Sequence, residues 1–246
     1  MRWFIWLLLL FAGGTSAAEL RILSAASMQS VLKEIGPEFE RASGQKLAVQ
    51  YDTMGAIHQR VAGGESPDFV IGSGASIAAL GKQGRLEPGS ELAFARTGVG
   101  VAVPASDAAP ALANAADFKL ALAGAKLIVY ADPAKGGAAG IHVAKLIDAM
   151  GLDVAQKTKY GAGGDVGEVT AAQGLGTVGL TQITEIVGKP YLRYVGPLPP
   201  GLQNYTVFAA ARPAGRPSSE PLEAFIRFMR SPRAVEAMKA NGMELQ

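Results

Sequence analysis

The run Lys126–Gly151, KLIVYADPAKGGAAGIHVAKLIDAMG, decides how this chain folds. KLIVYA (126–131) is an apolar strand, and GIHVAKLIDAMG (140–151) reads as a helix that Gly151 stops. The turn between them carries Gly136, Gly137 and Gly140, with only alanines between Gly137 and Gly140. Glycines that open a helix leave backbone N–H groups free to grip an anion. The stretch is therefore a strand–turn–helix unit whose turn is suited to an anion. Taken alone, it fits a whole site or half of one.

The same rhythm continues outward. Upstream, LRILS (20–24) is a strand, and MQSVLKEIGPEFERASG (28–44) places Val31, Leu32, Ile35 and Phe39 at helical spacing before Gly44. KLAVQY (46–51) and PDFVIG (67–72) are strands, and GAIHQRVAGG (55–64) and SIAALGKQG (76–84) are helices. This alternation implies a mostly parallel sheet covered by helices. ARTGVGVAVPA (95–105) is a long strand, a natural place for the chain to cross between lobes. Downstream, GDVGEVTAAQGLG (164–176) is a helix and TVGLTQ (177–182) a strand. Two strands then flank a Pro/Gly corner in LRYVGPLPPGLQNYTVFAAARPA (192–214). The end, 220–242, reads as two helices broken at Ser231-Pro232, because the pyrrolidine ring does not fit a helix interior. Leu222, Phe225, Ile226 and Met229 form one apolar stripe, read as core.

The first residues bear on compartment. MRWFIWLLLLFAGGTSAAEL has Arg2, an apolar run from Trp3 to Ala12, and small residues through Ala18. This is the pattern of a cleaved secretory signal, with cleavage expected after Ala18. The run is shorter than the ~20 residues a bilayer span needs. The mature chain would start at Glu19 and hold 228 residues (246 minus 18), enough for one large domain or two small lobes. Loss of Arg2 takes the net charge from +2 to +1, which leaves no electrostatic footprint for nucleic acid. With Cys 0, stability rests on the core alone, and 49% hydrophobic residues supply one.

Four strand-to-helix junctions are rich in small residues. In SAASMQSVL (24–32), Ser27 either caps the following helix or donates to an anion at its positive end. In QYDTMGAIHQRV (50–61), Thr53, Met54 and Gly55 form the turn; Asp52 reads as a turn or cap residue, and His58 and Arg60 as helix surface. The third junction is the opening stretch. The fourth is YGAGGDVGEV (160–169), where Gly163-Gly164-Asp165 leads into a helix at Val166. In open α/β sheets such junctions lie at the carboxyl ends of strands, where ligands bind. Two in each half imply two lobes facing across a cleft.

Signals for an enzyme are poor. The histidines are His58 and His142, and no H-E-x-x-H, G-x-S-x-G or G-x-x-x-x-G-K-[ST] occurs. Ser43-Gly44-Gln45-Lys46 matches S-x-x-K, but it falls at a helix stop and no S-D-N or K-T-G accompanies it.

The order and spacing of AASMQSVLKEIGPEFERASG, PDFVIGSGASIAALGKQGRL, DPAKGGAAGIHVAKLIDAMG, GGDVGEVTAAQGLGTVGL and the closing helices resemble the periplasmic molybdate-binding protein family, the solute receptors of molybdate ABC importers. The resemblance spans essentially the whole mature chain. It implies an α/β, two-lobe periplasmic binding protein of type 2. Each lobe would be a mostly parallel sheet flanked by helices, with two crossover strands between them. The expected division is a signal peptide over 1–18, one lobe over 19–97 plus 206–246, and the other over 98–205. The resemblance also implies a periplasmic monomer without catalysis, cofactor or metal, which captures a small anion and delivers it to an ABC permease in the inner membrane.

Carried over by position, the family's first serine is matched by Ser27, and its backbone N–H donors by Ala139 and Val166. Its second serine falls at Met54 and its tyrosine at Gln182, and its third-junction loop is one residue shorter than DPAKGGAAG. Met28, Thr53, Gly137 and Ala138 complete the expected ligand-binding set. A lost charge-assisted hydrogen bond costs about 1.5–3 kcal/mol. Gln182 has an amide donor to replace the tyrosine hydroxyl; Met54 has none, and Thr53 substitutes only if the turn shifts. The longer loop makes room for a larger anion. The ligand thus stays open between a molybdate- or tungstate-like oxyanion and a small organic carboxylate, and a sensor role is not separated from transport. A cleft enzyme would need His58, Asp52 or Asp165 as its base.

Overall fold

The structure, a computed structural model, describes residues 19–162 and 164–246. The segment 1–18 read as a signal peptide and Gly163 of the fourth junction lie outside the described residues.

Strands β1 (Glu19–Ala25), β2 (Lys46–Asp52) and β3 (Phe69–Ser73) form one parallel trio, and β5 (Leu127–Ala131), β6 (Thr158–Gly161) and β7 (Thr177–Gln182) form another. Between the trios run β4 (Leu92–Pro104) and β9 (Tyr205–Ala211), antiparallel to each other and to the strands they meet. The order is β2-β1-β3-β9-β4-β7-β5-β6, with β8 (Leu192–Pro197) and β10 (Glu244–Leu245) attached to β4. The parallel sheet read from the sequence is thus two three-stranded cores, extended by antiparallel crossing strands.

The crossing point is built around one residue. β4 pairs with β9 through Gly98 and with β7 from Val99 onward. At this change of partner the side chain of Gln203 behaves like a strand. Its Oε1 accepts the Val99 N–H at 2.8 Å, and its Nε2 donates to the Val99 carbonyl at 2.9 Å. A Cβ on Gly98 would come within 2.8 Å of that amide, so a side chain there would push the Gln203 amide aside.

The two larger hydrophobic cores among the described residues flank this crossing. One draws on residues from Leu20 to Ala95 and from Phe208 to Met243; the other runs from Val99 to Leu202. In the first, α1 (Gln29–Ser43) packs on α7 (Glu220–Met229) and α8 (Pro232–Ala240), with Phe39 edge-on to Phe225 at 5.2 Å. Leu222, Phe225 and Met229 are buried as the stripe predicts, and Ile226 is partly buried against them. Each fully buried aromatic or large aliphatic contributes about 1.5–3 kcal/mol relative to an exposed one.

The remaining helices are α2 (Met54–Ala62), α3 (Gly74–Lys82), α4 (Ala115–Gly124), α5 (Ala138–Ala149) and α6 (Val166–Gln173). α4 has no counterpart in the sequence reading. Phe118 and Leu122 point inward at helical spacing, but Leu120 is 70% exposed and blurs the apolar face. Asn114 starts α4 by accepting the Ala116 and Asp117 N–H groups.

Candidate functional site

The four junctions converge on one cavity of about 50 Å³, several times the ~10–15 Å³ a single water requires. Ala25, Ala26, Ser27, Asp52, Thr53 and Met54 line one wall together with Thr206 and Phe208 of β9. Ala131, Gly137, Ala138, Ala139, Gly140, Gly164, Thr181, Gln182 and Glu185 line the other.

At the first junction Ser27 sits inside a single 3-10 turn, Ala26–Met28, and neither that turn nor α1 has a side-chain cap. Of the two readings of Ser27, the cap is excluded and its residue stands at the cavity. Met28 has no place in the lining; it is fully buried in the first core.

At the second junction Thr53 is the N-cap of α2, its Oγ1 accepting the Ala56 N–H at 3.2 Å. The hydroxyl hydrogen is then still available to donate. Asp52 Oδ1 accepts the Thr53 N–H at 2.8 Å, and its other oxygen lies 3.9 Å from Arg60. Arg60 binds Glu65 at 2.6 Å, and His58 meets Gln83 at 3.3 Å; neither lines the cavity. Met54 is buried, its terminal methyl resting over Gly72, where an added Cβ would come within 2.3 Å of it. That contact gives the methionine an apolar role in the wall.

The third junction differs from the second and, like the first, has no side-chain cap. α5 starts from Gly137 without a side-chain cap, so the first-turn N–H groups lack the usual partner while Gly137–Gly140 line the cavity. Gly140 lets the helix approach β5: a Cβ there would stand 2.1 Å from the Ala131 carbonyl oxygen. At the fourth junction Gly164 reaches the cavity. Val166 does not; it is fully buried beside Val129 and Ala131.

Gln182, at the end of β7, donates Nε2 to Thr206 Oγ1 at 2.9 Å, which leaves its Oε1 buried without a partner among the described residues. Just beyond, Thr181 donates its hydroxyl to the Glu185 carboxylate. Burial, with help from the charges of Glu168 and Asp165, pushes the Glu185 carboxyl up to about 7, against the pull of Thr181 and Lys189. Thr181, Glu185 and Thr206 escaped the sequence reading, since a lone carboxylate after an apolar strand matches no motif. Asp165, read as a possible base, is outside the lining.

The cleft is closed over this cavity by close contacts between its walls at two glycines. A Cβ on Gly55 would stand 2.4 Å from the Lys135 carbonyl oxygen, and one on Gly164 would stand 2.9 Å from the Ala26 Cβ. Among the described residues no Lys, Arg or His lines the cavity, and no cluster of His, Cys, Asp and Glu is suited to a metal.

A paired-lobe fold with one small cleft at the carboxyl ends of its strands defines a solute-binding architecture. A sequence model of the bacterial extracellular solute-binding proteins matches residues 20–244, and the chain belongs to that family. It is similar to an aconitate isomerase of Pseudomonas sp, 26% identical over 92% of this chain and 87% of the relative. It is also similar to the molybdate-binding protein ModA of Azotobacter vinelandii, 25% identical over 96% of this chain and 94% of the relative. The solved periplasmic molybdate-binding protein of Azotobacter vinelandii shares the fold, with TM-score 0.73 and 20% identity over 92% of this chain and 99% of that one.

Proposed function

We propose that this chain is a periplasmic receptor that traps a small anion between its lobes and delivers it to an ABC permease. The observation that carries this reading is the uncapped start of α5 facing Ser27 and Thr53 across a closed cavity. Ala138 and Ala139 would offer N–H groups from one lobe, and the two hydroxyls would donate from the other. We assign 19–97 plus 206–246 to the first lobe and 98–205 to the second; the split between the two cores supports these limits. Opening would bend β4 and β9 near Gln203. A ligand that contacts both walls shifts the open–closed equilibrium because only the closed form offers all its donors.

Of the two ligand classes, the site favours a small organic acid over a molybdate- or tungstate-like dianion. Met54 supplies methyl packing where an oxyanion receptor gains from a hydroxyl, and one relative is an aconitate isomerase. A thermal-shift panel of molybdate, tungstate, sulfate and mono-, di- and tricarboxylates tests the reading. A true ligand at 100 times its Kd stabilises by about 2.7 kcal/mol; silence across the whole panel rejects an anion receptor. Proton NMR of cis- and trans-aconitate with the protein in D₂O tests for catalysis, and unchanged spectra are expected.

A further inference from the structure

The donors of the cavity account for one side of a ligand and leave its acceptors unexplained. Asp52 and Glu185 both line it, and among the described residues no cation does. Gln182, only 5% exposed, keeps Oε1 buried with no partner among the described residues. A buried acceptor without a donor is unfavourable, and a carboxylate beside an anion repels it. A fully deprotonated tetrahedral oxyanion has only acceptors to set against these groups. A ligand with its own O–H would turn the same groups into partners, and an O–H donated to a carboxylate is among the stronger hydrogen bonds.

We propose that the ligand of this cleft carries its own hydrogen-bond donor, as a hydroxycarboxylate or a singly protonated oxyanion, and that Glu185 and Gln182 read that donor. They are then specificity-determining residues, and the inference rests on the receptor reading above. The charged groups that bear on Glu185 are Glu168, Asp165 and Lys189, with Asp52 sharing the cavity. Because burial and the two acidic neighbours raise the Glu185 carboxyl to about 7, pH 8 keeps it ionised and acceptor-only.

Isothermal titration at pH 8 with matched pairs tests this: lactate against propionate, malate against succinate, and hydrogenphosphate against sulfate, with molybdate and tungstate beside them. The donor-bearing member of at least one pair is expected to bind at least tenfold more tightly, and the responding pair separates hydroxy acid from protonated oxyanion. Glu185→Gln, which keeps shape and adds an amide donor, is expected to erase that preference. Binding of some anion with no pair showing a preference for its donor-bearing member, or molybdate or tungstate binding more tightly than every donor-bearing anion, overturns the inference and leaves the receptor reading intact. A tetrahedral dianion that gains tenfold between pH 8 and pH 6, with the gain lost in Glu185→Gln, also overturns it, since Glu185 would then be donating. Failure of every anion to bind overturns both readings.

Discussion

On one wall of the cleft α2 starts from Thr53, whose hydroxyl caps the helix; on the other, α5 starts from Gly137 with no side-chain cap. Both are strand–turn–helix units at the carboxyl end of a parallel strand, yet only the first has a side chain of its own that accepts one of its first-turn N–H groups. The second is completed only from outside, by solvent or by a ligand. A capped start gives a rigid wall with a hydroxyl left to donate, whereas an uncapped start is a site whose stability and affinity are in competition.

The two walls also use glycine differently, and the largest expected effects break that contrast. Gly140→Ala sets a methyl against the Ala131 carbonyl within one lobe, so α5 must lift from β5. Overpacking of this kind costs about 1–3 kcal/mol, read in a thermal melt as a drop of about 2–12 °C for a chain this size, together with at least a hundredfold loss of affinity. Gly55→Ala sets its methyl against Lys135 across the cleft. The melting temperature of the ligand-free protein should hold or rise, since alanine favours a helix by about 1 kcal/mol over glycine. Ligand affinity should fall at least tenfold, because the closed form is blocked. A matching fall in melting temperature would mean that Gly55 packs like Gly140 and that the contact is no closure contact.

Smaller effects sharpen the cap comparison. Gly137 has φ −71, and an added Cβ meets only the Ala131 side chain at 3.6 Å, so Gly137→Asp fits. It should stabilise α5 by only about 0.3 kcal/mol as an N-cap, since glycine is itself a fair one, while weakening anion binding more than tenfold through like charge; calorimetry and titration read the opposed signs. Thr53→Val should lower stability by about 1 kcal/mol through loss of the α2 cap, and weaken binding only a few-fold, in a denaturant melt paired with titration. Equal losses of affinity for Gly137→Asp and Thr53→Val would show that the walls are equivalent.

Most of the fold was legible because its signals are local. Gly44 and Gly151 stop helices, Ser231-Pro232 separates two more, and the apolar runs at 20–24 and 126–131 are strands, all read from neighbours a few residues apart. α4 was missed because the exposed Leu120 masks its inward face, and Gln203 because a glutamine that replaces a strand partner resembles any loop polar residue. The four junctions were legible as a ligand-facing set; their internal division of labour was not. Ser27 reads as a cap from spacing and has no such role, while Met28 and Val166 fall in the cores beside the cavity.

The sequence by itself determined the alternation of strand and helix, the small-residue turns and the family, since each depends on backbone propensity and pattern over short range. Tertiary structure alone decided that Met54 covers Gly72, that Gly55 meets Lys135, and that Glu185 stands beside Gln182 and Thr206 with its carboxyl pushed up. Burial, charge and close contact belong to whatever the fold brings near, and here those partners lie up to 80 residues apart in the chain.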